Sequence, residues 1–269
     1  MGSGIIEDLK VDGVMTNAVV RATDSPSTFT SVLVDKETVT RTCINTPMSR
    51  DMTTDEAMAV VPSLFGDESE AKLLHVDCRH PEAAVAVAEA VRSRPNVIIT
   101  MDAERPRPGL EELLQLSDVI FCNSRFPSLW TGETGVPRGL ATILDRCPRA
   151  RFVVVTRGEK GSMLMARKTE ADRLGADALQ GLPLTVCQGS YDDYLTLTCD
   201  VWPLSGEIRD STGAGDVFIA GFIHAMLEGQ PLSLALATGA WTATNKLGCL
   251  GARLGPDFDN AKRPFLQLA

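Results

Sequence analysis

The sequence has 269 residues, of which 44% are hydrophobic, so it is long enough for one large domain or two small ones with a packed core. Its formal net charge of −9 disfavours a broad phosphate-tracking surface, and no nucleic-acid partner is expected. No apolar run approaches the roughly 20 residues needed to cross a bilayer, and the first residues lack a signal-peptide pattern. We therefore expect neither membrane association nor export.

The cysteines indicate a reducing compartment. There are seven of them, an odd number, and no two form a C-x-x-C pair. This usage is typical of reduced thiols and not of a disulfide framework. The three histidines, His75, His80 and His224, have no metal-ligand spacing with the cysteines. We expect a cytoplasmic protein, and we predict no residues that bind a metal directly.

The first structural pattern along the chain is the alternation of apolar and polar residues over 28–44. It predicts a two-stranded ribbon with its turn at Asp35-Lys-Glu-Thr38, which we interpret as lid strands. Further on, the short apolar runs 73–77 and 97–102 each end in Asp. They flank an Ala-rich segment that starts with Pro81, and this order predicts a strand, a helix and a strand.

The same rhythm continues and determines the predicted fold class, an α/β fold with a mostly parallel sheet covered by helices on both faces. A tight turn at Gly158-Glu-Lys-Gly161 predicts an antiparallel hairpin at the edge of that sheet. The polar segment 168–206 has no clear period and is interpreted as an insertion or long loop. The remaining predicted elements are helices at 109–116, 137–146, 214–228 and 231–246, and strands at 118–122 and 152–156.

Residues 207–221 carry the chemistry. Their sequence, EIRDSTGAGDVFIAG, predicts a short strand, a turn of small residues, and an apolar helix that opens at the second glycine, Gly215. Small residues allow an anion to approach the backbone, and the free N–H groups at a helix start favour phosphate oxygens. Asp216 would lie beside that anion hole, where a carboxylate can accept a proton from an attacking hydroxyl. The alternative is an ordinary turn followed by a favourable first-turn acid.

The segment D-S-T-G-A-G-D-V-F-I-A-G, from Asp210 to Gly221, resembles the C-terminal signature of the ribokinase and PfkB carbohydrate kinase family. The resemblance implies a ribokinase-like three-layer α/β/α sandwich with a partial β lid. It also implies that Asp216 is the catalytic base and that the amides of Gly213, Ala214 and Gly215 hold the transferring phosphate of ATP. Magnesium would bridge the phosphates.

Three other segments resemble nucleotide-binding parts of the family. Residues 153–162, V-V-V-T-R-G-E-K-G-S, are similar to the strand-turn-strand beside the nucleotide, and residues 245–251 are similar to the loop that walls the adenine. For Gly248, a helix C-cap is an equally good explanation. Asn123 matches the Asn of the family pattern Asn-x-x-Glu, whose acid is replaced here by Phe126. The nucleotide-binding residues implied are Asn123, Thr156, Gly158, Gly213, Gly215, Asn245, Gly248 and Gly251.

Within the family, the closest resemblance is to ketohexokinases, which are fructokinases. The strand ends H-V-D-C-R-H, with Arg79, and M-D-A-E-R-P-R, with Glu104, are similar to those that present an Arg and a Glu to sugar and phosphate. The resemblance thus implies that Arg79 assists catalysis and that Arg79, Glu104 and Asp216 bind the substrate. An arginine can neutralise phosphate charge, and a carboxylate can accept sugar hydroxyls. The alternative is a surface ion pair between neighbouring strands.

The chain departs from the family at its beginning. The strand with a sugar-binding Asp and the Gly-Gly-x-x-x-Asn segment are absent, and residues 4–13 resemble the helix and turn that follow them. We therefore interpret 1–269 as a single ribokinase-like domain that lacks the N-terminal substrate-binding segment, with apolar edges left exposed.

Three functions stay open at this point. The first is an ATP-dependent sugar kinase of the ketohexokinase type, and the second is a nucleoside kinase of the same family. The third is a non-catalytic, kinase-derived protein that binds nucleotide or serves in an assembly. Family resemblance also implies a possible homodimer through the lid strands.

Overall fold

The computed structural model describes residues 2–35, 37, 40–66, 70–175, 182–255 and 258. The chain divides into two compact units, each with its own internal contacts. Unit 1 contains residues 1–71 and 77–97, and unit 2 contains residues 72–76 and 98–269.

Unit 1 contains the predicted ribbon and three helices. Strands β1 (Phe29–Asp35) and β2 (Thr40–Thr46) pair antiparallel, with Phe29 opposite Thr46 and Asp35 opposite Thr40. The two strands predicted over 28–44 are therefore confirmed, while three of the residues around their predicted turn (36, 38 and 39) lie outside the described part. The helices are α1 (Gly2–Val11), α2 (Thr54–Phe65) and α3 (Pro81–Arg92).

Helix α2 was not predicted, although a local signal for it exists. Thr53 and Glu56 form a capping box, in which the Thr53 side chain accepts from the Glu56 N–H and the Glu56 carboxylate accepts from the Thr53 N–H. Such a box satisfies two N–H groups at a helix start. Helix α2 packs against α3, which begins at Pro81 as predicted.

Unit 2 is built on a seven-stranded sheet. Its strand order is β3-β4-β5-β6-β7-β9-β8. Strands β3 to β6 pair parallel, whereas β7, β9 and β8 extend the sheet by antiparallel pairing. The strands are β3 (Leu73–Val76), β4 (Ile98–Ala103), β5 (Val119–Asn123), β6 (Phe152–Thr156), β7 (Ser162–Arg167), β8 (Val186–Tyr191) and β9 (Tyr194–Cys199), and the helices are α4 (Leu110–Leu116), α5 (Phe126–Thr131), α6 (Val136–Arg146), α7 (Ala214–Leu227) and α8 (Leu232–Leu247).

Helices cover both faces of this sheet. Side chains alternate along a strand, so Phe121 and Val154 point to one face while Ile120 and Val153 point to the other. The first pair belongs to a core cluster with residues of α7 and α8. The second pair is fully buried as well, and α4 and α6 contact strands β4, β6 and β7. The predicted α/β class, a mostly parallel sheet with helices on both faces, is confirmed, and the four parallel strands form one side of the sheet.

The segment 168–206 is not the irregular loop that we predicted. Strands β8 and β9 lie inside it, and β9 pairs with β7 from Ser162–Cys199 to Arg167–Tyr194. The pattern escaped prediction because β8 is the outermost strand and four of its six residues are exposed, so it shows no apolar alternation. Within the described part of the segment, the chain therefore extends the sheet by two strands.

Helices α7 and α8 are antiparallel and in unusually close contact. A Cβ added at Gly221 would lie 2.4 Å from Thr242 Oγ1, and one added at Gly239 would lie 2.9 Å from the Phe218 carbonyl oxygen. The Thr242 hydroxyl oxygen lies 3.1 Å from the Val217 carbonyl oxygen, across the helix pair. Glycines thus bring the two backbones together.

We expect Gly221→Val to lower the free energy of unfolding by about 2 to 3 kcal/mol, because overpacking a tight core forces side chains and backbone to shift. Chemical denaturation of parent and variant measures this difference. Ala220→Val is the matched control, since Ala220 is exposed on the same helix. Equal losses in both variants would contradict the close contact at Gly221.

The ends of α8 define the direction of the helix pair relative to the sheet. Near its start, the Ser233 hydroxyl donates to the Gly175 carbonyl oxygen at 2.6 Å, in the segment that follows β7. Near its end, the Thr244 hydroxyl lies 3.3 Å from the Trp202 carbonyl oxygen, just after β9. Strand β7 ends beside the first residue of β6, so α8 begins near the amino edge of the parallel strands. Strand β9 ends beside Ser162, the partner of Thr156, so α8 ends near their carboxyl edge. Because α7 runs antiparallel to α8, the beginning of α7 lies toward the carboxyl edge.

Candidate active site

The site is centred on the turn that precedes α7. Gly213 is the N-cap of this helix and has φ 78°, ψ 3°, in the left-handed region. A Cβ at this position would lie 3.0 Å from the Ala252 Cα atom. Both the conformation and the close approach of the two loops require glycine. Helix α7 begins at Ala214, the first residue of the predicted helix 214–228 and one residue before the second glycine, Gly215. Residues 207–210 do not form the predicted strand.

The first turn of α7 presents free donors and a carboxylate. The Val217 N–H donates to the Gly213 carbonyl oxygen at 2.9 Å. Within the part of the chain that the structure describes, the N–H groups of Gly215 and Asp216 have no hydrogen-bond partner. A Cβ at Gly215 would meet nothing within 4 Å, and Asp216 is exposed. Such a helix start can bind an anion, with a carboxylate beside it.

Asp210 fastens this turn to the loop after α8. Its carboxylate accepts from the Thr212 N–H at 2.8 Å and from the Gly251 N–H at 2.9 Å. These hydrogen bonds, those of Thr212 first, lower the pKa of Asp210 from its ordinary value near 3.8 to about 2, with a smaller contribution from the charge of Lys246. The N–H groups of Arg209 and Asp210 both donate to the Leu247 carbonyl oxygen. Asp210 is therefore a structural anion at neutral pH.

The loop after α8 contains three residues that the family resemblance assigns to the nucleotide. The Asn245 side chain donates to the Trp241 carbonyl oxygen at 2.8 Å, so its amide is directed back into the helix. Gly248 is the C-cap of α8, with φ −77°, which agrees with the alternative explanation given above. Gly251 has φ 81° and supplies the N–H that Asp210 accepts. Their contact with a nucleotide stays a prediction.

Two further candidates lie at the carboxyl edge of the parallel strands. Asn123 ends β5 and is paired with Thr156, which ends β6. The Asn123 side chain donates to the Glu104 carbonyl oxygen at 2.9 Å and accepts from the N–H groups of Arg125 and Phe126. Its amide thus ties the end of β4 to the start of α5. The Glu104 side chain itself is exposed.

The hairpin after β6 contains Gly158 at its turn. Gly158 has φ 59° and is exposed, with nothing within 4 Å of an added Cβ. The Arg157 N–H donates to the Gly161 carbonyl oxygen at 2.8 Å, which closes the turn, and Thr156 is half-buried at its base. The predicted antiparallel hairpin is confirmed, and it leaves open space beside Gly158.

Arg79 belongs to unit 1, whereas all the other site residues belong to unit 2. Its side chain is 55% exposed and lies 3.8 Å from the Asp77 carboxylate, measured from the Nε atom. The alternative considered above was an ion pair between Arg79 and Glu104, whereas the ion pair that the structure shows is with Asp77. It contributes little to stability, because both of its side chains are exposed. The catalytic role of Arg79 stays a prediction.

Phe126 occupies the position where the family pattern has an acid. It is fully buried and stacked on Trp130, with ring centroids 6.2 Å apart and an interplanar angle of 8°. Among the described residues, no group of three or more His, Cys, Asp or Glu side chains could hold a metal ion. A magnesium ion that is held mainly by nucleotide phosphates needs only one or two carboxylates from the protein, so this result does not bear on it.

Lys246 is the residue of this region that sequence reasoning missed. It lies near the end of α8, is 0% exposed, and donates to the Asp210 carbonyl oxygen at 2.7 Å. A lysine in the last turn of a helix is ordinarily a solvated group near the helix dipole. The signal that could have identified it is its position between Asn245 and the Gly248 loop, inside a segment similar to the nucleotide-binding part of the family.

A family description and several known proteins match this chain. Residues 1–176 and 201–258 match the pfkB family carbohydrate kinases. An acarbose 7(IV)-phosphotransferase of Actinoplanes is 29% identical over 49% of this chain and 34% of its own length. A cytidine kinase of Thermococcus kodakarensis is 26% identical over 63% of this chain and 53% of its own. The alignments thus span about half or less of these relatives.

The solved structures show the same fold. A ribokinase of Arabidopsis thaliana, complexed with ribose and ATP, superposes with a TM-score of 0.66 at 23% identity, over 93% of this chain and 73% of its own. A nucleoside kinase of Burkholderia thailandensis in complex with inosine gives a TM-score of 0.63 at 14% identity, over 94% and 72%. Separately, no described helix is long and apolar enough to cross a membrane.

Proposed function

Because the chain belongs to the pfkB family of carbohydrate kinases, we propose that it transfers the γ-phosphoryl group of ATP to a hydroxyl group of a sugar or nucleoside. The observation that supports this most directly is the start of α7, where unpartnered N–H groups, open space at Gly215 and an exposed carboxylate occur together. Phosphoryl transfer depends mainly on positioning and on charge stabilisation, and this arrangement can provide both.

In the proposed reaction, Asp216 accepts the proton of the acceptor hydroxyl as that oxygen attacks the phosphorus atom. The N–H groups of Gly215 and Asp216 stabilise the negative charge on the phosphoryl oxygens, helped by the helix dipole. Gly213 holds the turn in the left-handed conformation from which α7 begins. ATP supplies the phosphoryl group, with ADP as the leaving group.

The remaining family-derived roles belong to the same proposal. The nucleotide site would be lined by Thr156, Gly158, Asn245, Gly248 and Gly251, and Asn123 would order the adjoining strand ends. The Arg79 side chain would neutralise charge on the phosphate, and the Glu104 carboxylate would accept hydrogen bonds from the hydroxyl groups of the sugar or nucleoside. We propose that Mg²⁺ enters with the nucleotide phosphates, since this ion usually binds through phosphates and few carboxylates. Among the described residues, no group of three or more His, Cys, Asp or Glu side chains could hold the ion without the nucleotide.

Two acceptor classes are supported by different observations. The strand ends with Arg79 and Glu104, which resemble ketohexokinases, favour a ketose such as fructose. Similarity to the cytidine kinase favours the ribose of a nucleoside. Measuring ADP release with ketoses, aldoses and nucleosides, with Asp216→Asn as the control, shows which of the two acceptor classes is phosphorylated. If no acceptor raises ADP release above the variant, the kinase proposal is overturned and the non-catalytic, nucleotide-binding alternative is favoured.

We also propose that the chain forms a homodimer through β1 and β2. An isolated two-stranded sheet is marginal in water, and Phe29, Leu33 and Ile44 of this ribbon are 44%, 59% and 53% exposed. Pairing with a second copy would cover these apolar side chains. Light scattering should give twice the chain mass for the parent and the chain mass for Leu33→Lys, and a monomeric parent would overturn this proposal.

The proposed place of action is the cytoplasm, where ATP is available and thiols stay reduced. The seven cysteines form no disulfide with one another, and four of them are buried. Fractionation of cells that express the protein, with detection in the soluble and exported fractions, tests this, and recovery outside the cell would contradict it.

A further inference from the structure

The structure buries one ammonium group completely beside the candidate anion hole. Among the described residues, Lys246 is the charged side chain whose exposed fraction is 0%. Burying an ammonium group is unfavourable unless its charge and its N–H donors are satisfied. A residue of this kind, adjacent to a proposed phosphate site, therefore needs a physical explanation.

The partners of the Lys246 ammonium group are main-chain oxygens. Its Nζ atom lies 2.7 Å from the Asp210 carbonyl oxygen and 3.1 Å from the Cys249 carbonyl oxygen. Within the described residues, no carboxylate lies within ion-pair distance of it. The Asp210 carboxylate is instead directed at the N–H groups of Thr212 and Gly251. Lysine thus closes a ring of contacts between the end of α8 and the turn before α7.

This ring includes Asp210, the residue that begins the turn before the anion hole. Gly213 is three residues beyond Asp210, and three residues span at most about 11 Å. At an effective dielectric constant near 20, a positive charge about 11 Å from an anion changes its affinity by about tenfold. The carboxylates of Asp210 and Asp216 are close in sequence to the same turn, and without a compensating cation they would repel a polyphosphate.

We infer that Lys246 is a positioning residue that fixes the turn before α7 through two carbonyl oxygens and compensates the charge of a polyphosphate bound there. This inference rests on the proposed function, because it assumes that α7 receives phosphate at its start. Part of the affinity for that phosphate would then come from the charge of Lys246, without direct contact between its side chain and the phosphate.

Calorimetric titration with inorganic triphosphate tests the inference without any turnover. The parent should bind triphosphate, and Lys246→Met, which keeps the length and removes the charge, should bind it about tenfold or more weakly. Lys168→Met is the matched control, since Lys168 is 62% exposed, pairs with Asp193, and follows β7 at the amino edge of β6. That variant should bind like the parent.

Chemical rescue separates charge from packing. Lys246→Ala removes three carbons and the ammonium group, and n-propylammonium replaces these atoms. We expect this amine to restore triphosphate binding and propan-1-ol, which is similar in size and uncharged, to leave it weak. Restoration by both compounds would show a packing role alone and overturn the inference. If Lys246→Ala is recovered only by refolding, n-propylammonium or propan-1-ol is added during refolding. Triphosphate binding of the two refolded samples is then compared in the same way.

Failure of the inference and failure of the proposed function give different results. Equal triphosphate affinity of the parent and folded Lys246→Met overturns the inference and leaves the kinase proposal intact. A parent that does not bind triphosphate contradicts the phosphate site itself, and with it both proposals.

Discussion

Replacing Asp216 by Asn is expected to lower kcat about a thousandfold while leaving the dissociation constant of ATP within about threefold, since general-base catalysis contributes roughly 10²- to 10⁴-fold. The amide keeps the size of the carboxylate and cannot accept the hydroxyl proton. It also keeps the first turn of α7 unobstructed, because Asp216 is exposed and, among the described residues, engages no partner through its side chain.

Steady-state kinetics with the best acceptor of the panel, together with calorimetric titration of ATP, measure both quantities. Glu228→Gln is the matched control, because Glu228 is an exposed acid that caps the other end of the same helix. Its kcat should equal that of the parent. If Asp216→Asn turns over acceptor as fast as the parent, Asp216 is not the base, whatever else holds for the family assignment.

Gly215→Val is expected to separate activity from stability. A Cβ at Gly215 meets nothing within 4 Å among the described residues, so we expect a valine side chain to fit without displacing its neighbours. Valine is also a better helix former than glycine, by about 0.3 kcal/mol. The unfolding temperature should therefore stay the same or rise slightly.

Although the unfolding temperature of Gly215→Val should not fall, its affinity for phosphate groups should. The valine methyl groups would occupy the space in front of the N–H groups, and a lost hydrogen bond to a charged group costs about 1.5 to 3 kcal/mol. We expect the affinity for ATP to fall about 10- to 100-fold, as seen by calorimetry. Gly4→Val serves as control, because Gly4 is also a helical glycine with nothing within 4 Å, and that variant should bind ATP normally. Undiminished affinity in Gly215→Val would place the phosphate elsewhere.

The sequence could predict those parts of the fold in which local pattern and tertiary role coincide. Strands β5 and β6 are buried apolar runs, and α7 follows a glycine turn with a first-turn acid, so the carboxyl edge of the sheet and the start of α7 were predictable. The family assignment followed from the same segment, Asp210 to Gly221, and it is confirmed. These features depend on contacts that the local sequence encodes.

Other parts depended on contacts between distant segments. Strand β8 is recognisable only through its pairing with β9. The short helix α5 is fastened by Asn123, whose side chain accepts from the Phe126 N–H, so an expected ligand of the nucleotide is also a helix anchor. Lys246 is buried because its ammonium group reaches the Asp210 carbonyl oxygen, 36 residues earlier in the chain. No periodicity reports such a contact, and the roles of Arg79 and Glu104 stay predictions.

The donors at the start of α7 are main-chain N–H groups, and this has a consequence for how the protein can change. A side-chain substitution cannot delete a backbone donor. It can only block the space in front of it, as at Gly215, or alter the conformation that aims it, as at Gly213. Such a site retains its affinity for anions while the residues that face the acceptor diverge. Substrate preference could therefore drift across a lineage of this fold while the phosphate-binding turn, and with it the family signature, persists unchanged.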